Sequence, residues 1–158
     1  MTWKIKATPA PKLKKMYASK VLWALAIIMI GFALVHLVRI DKLIPTIGSI
    51  LSPTGASWFV VLVVIAEVLA VPYLLQLRLS ALMRVVSGAL VVLAPLAWTC
   101  LTIWAAGSGL STGQFSAYVA TPSTWWLIVL NLAWLGVSYW ALWLSNYDKA
   151  FMQLKKRP

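Results

Sequence analysis

Glu67 is the one acid inside a long apolar run, VVLVVIAEVLAVPYLL. An acid so placed either gives and takes protons or pins helices together. Insertion scales put a charged acid at mid-membrane at about 2.5 to 3.5 kcal/mol, so the carboxyl must be paired or neutral. Counted from Trp58 at 1.5 Å per residue, Glu67 lies roughly 13 Å below the outer end of its run. The same measure puts Thr99, Cys100 and Asn131 roughly 9 to 11 Å deep, level enough to meet it. Asn131, Trp134 and Ser138 follow i, i+3, i+7 and share one helical face. Glu67, Asn131, Thr99 and Trp134 are therefore the candidate residues for hydrogen-bonding a ligand or for exchanging a proton. The alternative, a carboxylic acid that only fixes packing, stays open. Lys and Arg are absent from the four apolar runs, which favours a neutral carboxyl bonded to the third or fourth of them.

His36 comes out only about 3 Å from the outer end of its run, roughly 10 Å from the level of Glu67. The expectation is an interfacial histidine near Arg39, neither a partner of Glu67 nor a metal ligand. Other chemistries are excluded by number. One cysteine, Cys100, leaves no disulfide, thiol relay or multi-cysteine metal site. A single histidine leaves no bis-histidine haem, and Asp41, Glu67 and Asp148 are too few for a carboxylate cage.

Of the 158 residues, 62% are hydrophobic and 11% charged, against about 25% charged in a soluble domain. Four apolar runs, 21–38, 58–77, 85–106 and 125–144, each have the length that crosses a hydrocarbon core of about 30 Å. Runs this long without alternating polarity are helices, because lipid leaves no partner for an open strand. The expected fold is an all-α, integral membrane four-helix bundle. It divides into a basic segment 1–20, a transmembrane domain 21–144 and a basic tail 145–158. The first run is too long for a secretory leader and is expected to stay as a membrane helix.

Net charge is +11, and the cations divide 12 to 2 between the two sides of such a bundle, only Arg39 and Lys42 falling outside. Both termini are expected on the cytoplasmic or matrix side. Basic segments beside a membrane attract anionic lipid, whereas nucleic acid is excluded because no aromatic stacking platform accompanies the charge. The outer connections 39–57 and 107–124 carry Ile44, Ile47, Leu51, Leu110, Phe115 and Tyr118, and are expected to lie on the membrane or under other subunits. Trp58, Trp104, Trp125 and Trp126 fall at the outer boundary, and Trp23, Trp143 and Tyr147 at the inner one, as interfacial rings do. Trp98, Trp134 and Trp140 lie deeper, where core packing or lipid contact is expected ahead of lining a ligand cavity. Pro72 and Pro95 each free a backbone carbonyl, those of Val68 and Val91, within a span.

The first span IMIGFALVHLVRIDKL, the Pro-containing loop, the second span with its internal glutamate and the short turn QLRLSALMR together resemble the DoxX/MauE-like family of small four-helix bacterial membrane proteins. The resemblance covers roughly residues 21–144. It puts Glu67 at the place of that family's second-helix glutamate and Lys42 at that of its basic residue after the first helix. Val68 to Val71 stand where the family usually has a glycine. The resemblance implies an accessory membrane subunit of a larger, quinone-linked redox complex in a bacterial cytoplasmic membrane, not catalytic alone, with a quinone or lipid as its possible ligand. A purely structural or assembly subunit is the alternative, and a small transporter is disfavoured by the scarcity of polar residues.

Overall fold

The computed structural model describes residues 12–110 and 124–147, together with Ala10 and Thr112. Five helices follow in order: α1 (Ala18–Val38), α2 (Ile40–Gly48), α3 (Pro53–Leu74), α4 (Ala81–Gly107) and α5 (Thr124–Leu144). All except α2 are long and apolar enough to cross a membrane, which points to a multi-pass membrane protein, and the described residues contain no strand. The residues 1–9, most of 107–124 beyond Leu110, and the tail from Asp148 onward lie outside the described part. The expectations for Phe115, Tyr118 and the terminal lysines fall there.

α3 packs against α1, α2 and α4, and α4 against α5. α1 also touches α5, but lightly. α4 is the most enclosed, half of its span being buried against a third for α1 and for α5.

α3 and α4 begin earlier than hydropathy alone places them, because polar caps start them. Ser52 accepts a hydrogen bond from the Gly55 amide at 3.1 Å with Pro53 in the first turn, and Ser80 accepts one from the Met83 amide at 3.2 Å. Both are N-caps that satisfy an orphan donor. α3 therefore starts at Pro53 instead of Trp58, and α4 at Ala81 instead of Val85. Arg84, read as part of the short basic turn before the third span, lies inside α4 and is buried. Its Nη2 points to the Leu79 carbonyl at 3.5 Å.

The larger departure is α2. Residues 40–48 read as a connection, yet they form a helix whose Leu43 and Ile47, four apart, are buried where α2 packs against α3. α1 leads directly into α2. Its last turn closes on Arg39, whose amide donates to Val35 O at 3.1 Å with φ −114° and ψ 18°, and the chain resumes as helix at once.

Tyr147, read as an interfacial ring, also latches the far end of the fold. Its hydroxyl donates to Val85 O at 2.6 Å, its ring meets Tyr73 edge-on at 5.7 Å, and burial pushes its phenol up from the usual value, so it remains a donor. Tyr73 and Ser145 share a hydrogen bond at 2.5 Å, while Asn146 donates to Lys12 O at 2.6 Å and the Lys14 amide to Leu144 O at 3.0 Å. The six tryptophans assigned to the boundaries, Trp23, Trp58, Trp104, Trp125, Trp126 and Trp143, are all exposed.

Candidate functional site

α1 turns Leu22, Leu25, Ala26, Met29, Ala33 and His36 inward, and α3 turns Val60, Val63, Val64, Glu67 and Ala70 to meet them. The two facing stripes bring His36 Nδ1 to 3.0 Å from Glu67 Oε2, both side chains wholly buried. This corrects the sequence reading, in which His36 stayed at an interface and Glu67 bonded the third or fourth span. Two physical facts close the gap. The end of α1 is not the end of the helical stretch, since α2 follows at once and packs on α3. Side chains also lean toward the N-terminus of their own helix. His36 therefore leans back along α1 toward Phe32, while Glu67 leans back along α3 toward Val63.

Aromatic rings enclose the pair. Trp98, fully buried on α4, has its ring centre 4.8 Å from that of His36 and meets Phe59 edge-on at 5.3 Å. Phe32, one turn before His36, lies nearly parallel to it, 14° apart in plane, at 6.1 Å. Phe32 in turn touches Trp134 of α5 at 4.6 Å.

The other candidates divide. Asn131 Nδ2 donates to Thr102 Oγ1 at 3.0 Å, and Thr102 donates to Trp98 O at 2.7 Å, so a polar tie between α4 and α5 exists beside the pair. Thr99 donates to Pro95 O of its own helix at 2.7 Å, using the carbonyl side of the proline turn. Asn131, Trp134 and Ser138 are all buried, as their shared face requires. Cys100 is exposed, facing away from the Trp98, Thr99 and Thr102 side of α4, and so does not meet Glu67.

Five polar atoms in this region have no hydrogen-bond partner among the described residues: His36 Nε2, Glu67 Oε1, Trp98 Nε1, Trp134 Nε1 and Ser138 Oγ. Buried donors and acceptors without partners are uncommon, because each costs about 1 to 3 kcal/mol. The chemistry of the pair follows from its bond. An imidazolium facing a carboxylate and an imidazole facing a carboxylic acid carry the same net charge, so one proton can sit on either side without charging the interior. With Nδ1 held by Glu67, Nε2 is the atom left to give or take a proton, the usual division of labour when a carboxylate orients an imidazole. No group of three metal-ligating side chains forms among the described residues. In the sequence, the signal for His36 was its place on the inward stripe of α1, three residues after Ala33 and four after Phe32.

No family model, curated protein or solved structure matched this chain.

Proposed function

We propose that the chain is an accessory membrane subunit of a larger, quinone-linked redox complex, with its four long helices bundled across a bacterial cytoplasmic membrane and both termini inside. The observation that supports this reading is the buried His36–Glu67 pair with His36 Nε2 unpartnered, set among helices apolar enough to cross a membrane. The resemblance to the DoxX/MauE-like family supports the quinone link. A quinone bound there would supply two-electron redox chemistry. His36 would hold its oxygen through Nε2 and exchange a proton with it, Glu67 would fix the imidazole, and Trp98 would shield both from water. Other membrane subunits and anionic lipids are the expected partners.

The test is Glu67→Gln in the assembled complex, since Gln keeps a hydrogen-bonding partner for His36 but holds no exchangeable acid proton. The expected outcome is unchanged assembly with quinol-dependent turnover reduced about 100-fold or more, within the range general acid–base groups contribute. Unchanged turnover would favour a second reading, a structural subunit. That reading has its own support, because His36 and Glu67 are completely enclosed and neither lines the grooves flanking α1.

Orientation has a separate test. On a Cys100→Ala background, Lys12→Cys and Ser49→Cys, both exposed positions, are expected to react with impermeant thiol reagents from opposite faces, Lys12→Cys from the cytoplasmic one. Labelling of both from one face would overturn the 12 to 2 charge argument.

A further inference from the structure

α1 packs along α3 but only touches α5, and the gap leaves a groove of about 240 Å³ between α1 and α5. Ile28, Ala133 and Val137 form part of its wall and are exposed on the surface that an apolar membrane would cover. Phe32 and Trp134 line it too, in contact with each other at 4.6 Å. Phe32 stacks on His36, so the lining of the groove is one ring away from the imidazole. Trp134 is only 8% exposed, and its indole N–H has no partner among the described residues. A buried indole ordinarily finds an acceptor.

We propose that this groove is the lateral entrance by which a lipid-soluble molecule reaches the His36–Glu67 pair, with Phe32 and Trp134 as its door. The inference rests on the proposed reading of that pair as a ligand site. The chemistry fixes the class of ligand. Its head is flat and carries an acceptor oxygen, to stack against Phe32 and Trp134 and take the indole N–H and then His36. Its tail is apolar, to lie along Ile28, Ala133 and Val137. The groove on the other flank of α1, formed with α3 by Leu34, Leu37, Val68 and Pro72 among others, has no buried donor in its lining and suits a lipid tail alone.

The probe is a benzoquinone carrying a ten-carbon chain, titrated into the full chain in detergent micelles, with a photoreactive group on the tail in a parallel sample. Wild type is expected to bind, and the tail to crosslink to α5 around Ala133 and Val137. Ala133→Phe and Val137→Phe fill the groove from exposed positions and are expected to weaken binding about tenfold or more, because the tail loses the apolar wall it lies along, a loss of about 1.4 kcal/mol or more. Trp134→Phe keeps the ring and removes the N–H, with an expected loss of about three- to tenfold. Leu34→Trp, which fills the α1–α3 groove from an exposed position, is expected to change nothing. Binding that survives both groove-filling variants, with crosslinks to Val68 or Val71, would overturn the entrance and leave the proposed function standing. No binding by wild type would overturn both. Crosslinking reads the wild-type chain, so a variant that fails to fold does not blunt the test.

Discussion

Glu67→Leu is expected to lower the unfolding free energy by about 3 to 5 kcal/mol, the usual cost of leaving one half of a buried, hydrogen-bonded ionisable pair without the other. His36→Leu is expected to cost a similar amount by stranding the carboxyl. The double substitution is expected to be far less harmful than the sum, close to wild type, because two leucines facing each other in an apolar interior leave nothing unsatisfied. Reversible unfolding in mixed micelles measures all three, and the coupling energy is the quantity of interest. Glu67→Gln is expected to fall between wild type and Glu67→Leu, since its amide still bonds His36 Nδ1. If both single leucine variants stay within about 1 kcal/mol of wild type, the range seen for ordinary hydrogen bonds between membrane helices, the pair does not hold α1 on α3.

The second large effect lies at Gly88. A Cβ built there would stand 2.2 Å from Cε2 and 2.7 Å from Cδ2 of Tyr147, so the ring occupies the space any side chain would need. The ring cannot swing aside without breaking its bond to Val85 O and its contact with Tyr73. Gly88→Ala is expected to destabilise by about 1 to 3 kcal/mol, as overpacking does, against a helix-propensity gain of up to about 1 kcal/mol that alanine would otherwise bring. Gly31→Ala and Gly136→Ala meet nothing within 4 Å and are the controls, expected to be neutral or stabilising. On a Tyr147→Ala background the cost of Gly88→Ala is expected to vanish. Persistence of the cost there would mean that the notch is not what the glycine provides.

The long helices were legible because a span announces itself by length and by the absence of charge, and the inward face of α5 because Asn131, Trp134 and Ser138 repeat at helical spacing. Glu67 was legible as an inward acid by cost alone. Its partner was not. Depth counted along each run assumes that every run ends at the same plane and that side chains stand level with their own backbone. α2 breaks the first assumption at Arg39, and the opposite lean of His36 and Glu67 breaks the second. α2 itself escaped because Pro45 and Gly48 read as loop residues, although Leu43 and Ile47 already stood one helical turn apart. Arg84 was misplaced for a related reason: hydropathy ends a helix at a charge, whereas the Ser80 cap starts α4 before it. The Tyr147 latch depends on a contact sixty residues away, and no local pattern encodes it.

The seams that close α1 against the rest join the beginning of the described chain to its end. Phe32 meets Trp134, the Lys14 amide bonds Leu144, and Asn146 bonds the Lys12 carbonyl. Membrane helices associate after they have inserted, so α1 leaves the ribosome before α5 and its seam with α5 closes after its seam with α3. Its pairing with α3 through His36 and Glu67 can form halfway through synthesis, when neither Trp134 nor the Tyr147 latch yet exists. A nascent chain paused before α5 would leave Phe32, the ring stacked on His36, uncovered on the side where Trp134 later packs, and translation of the final described span is the step that covers it.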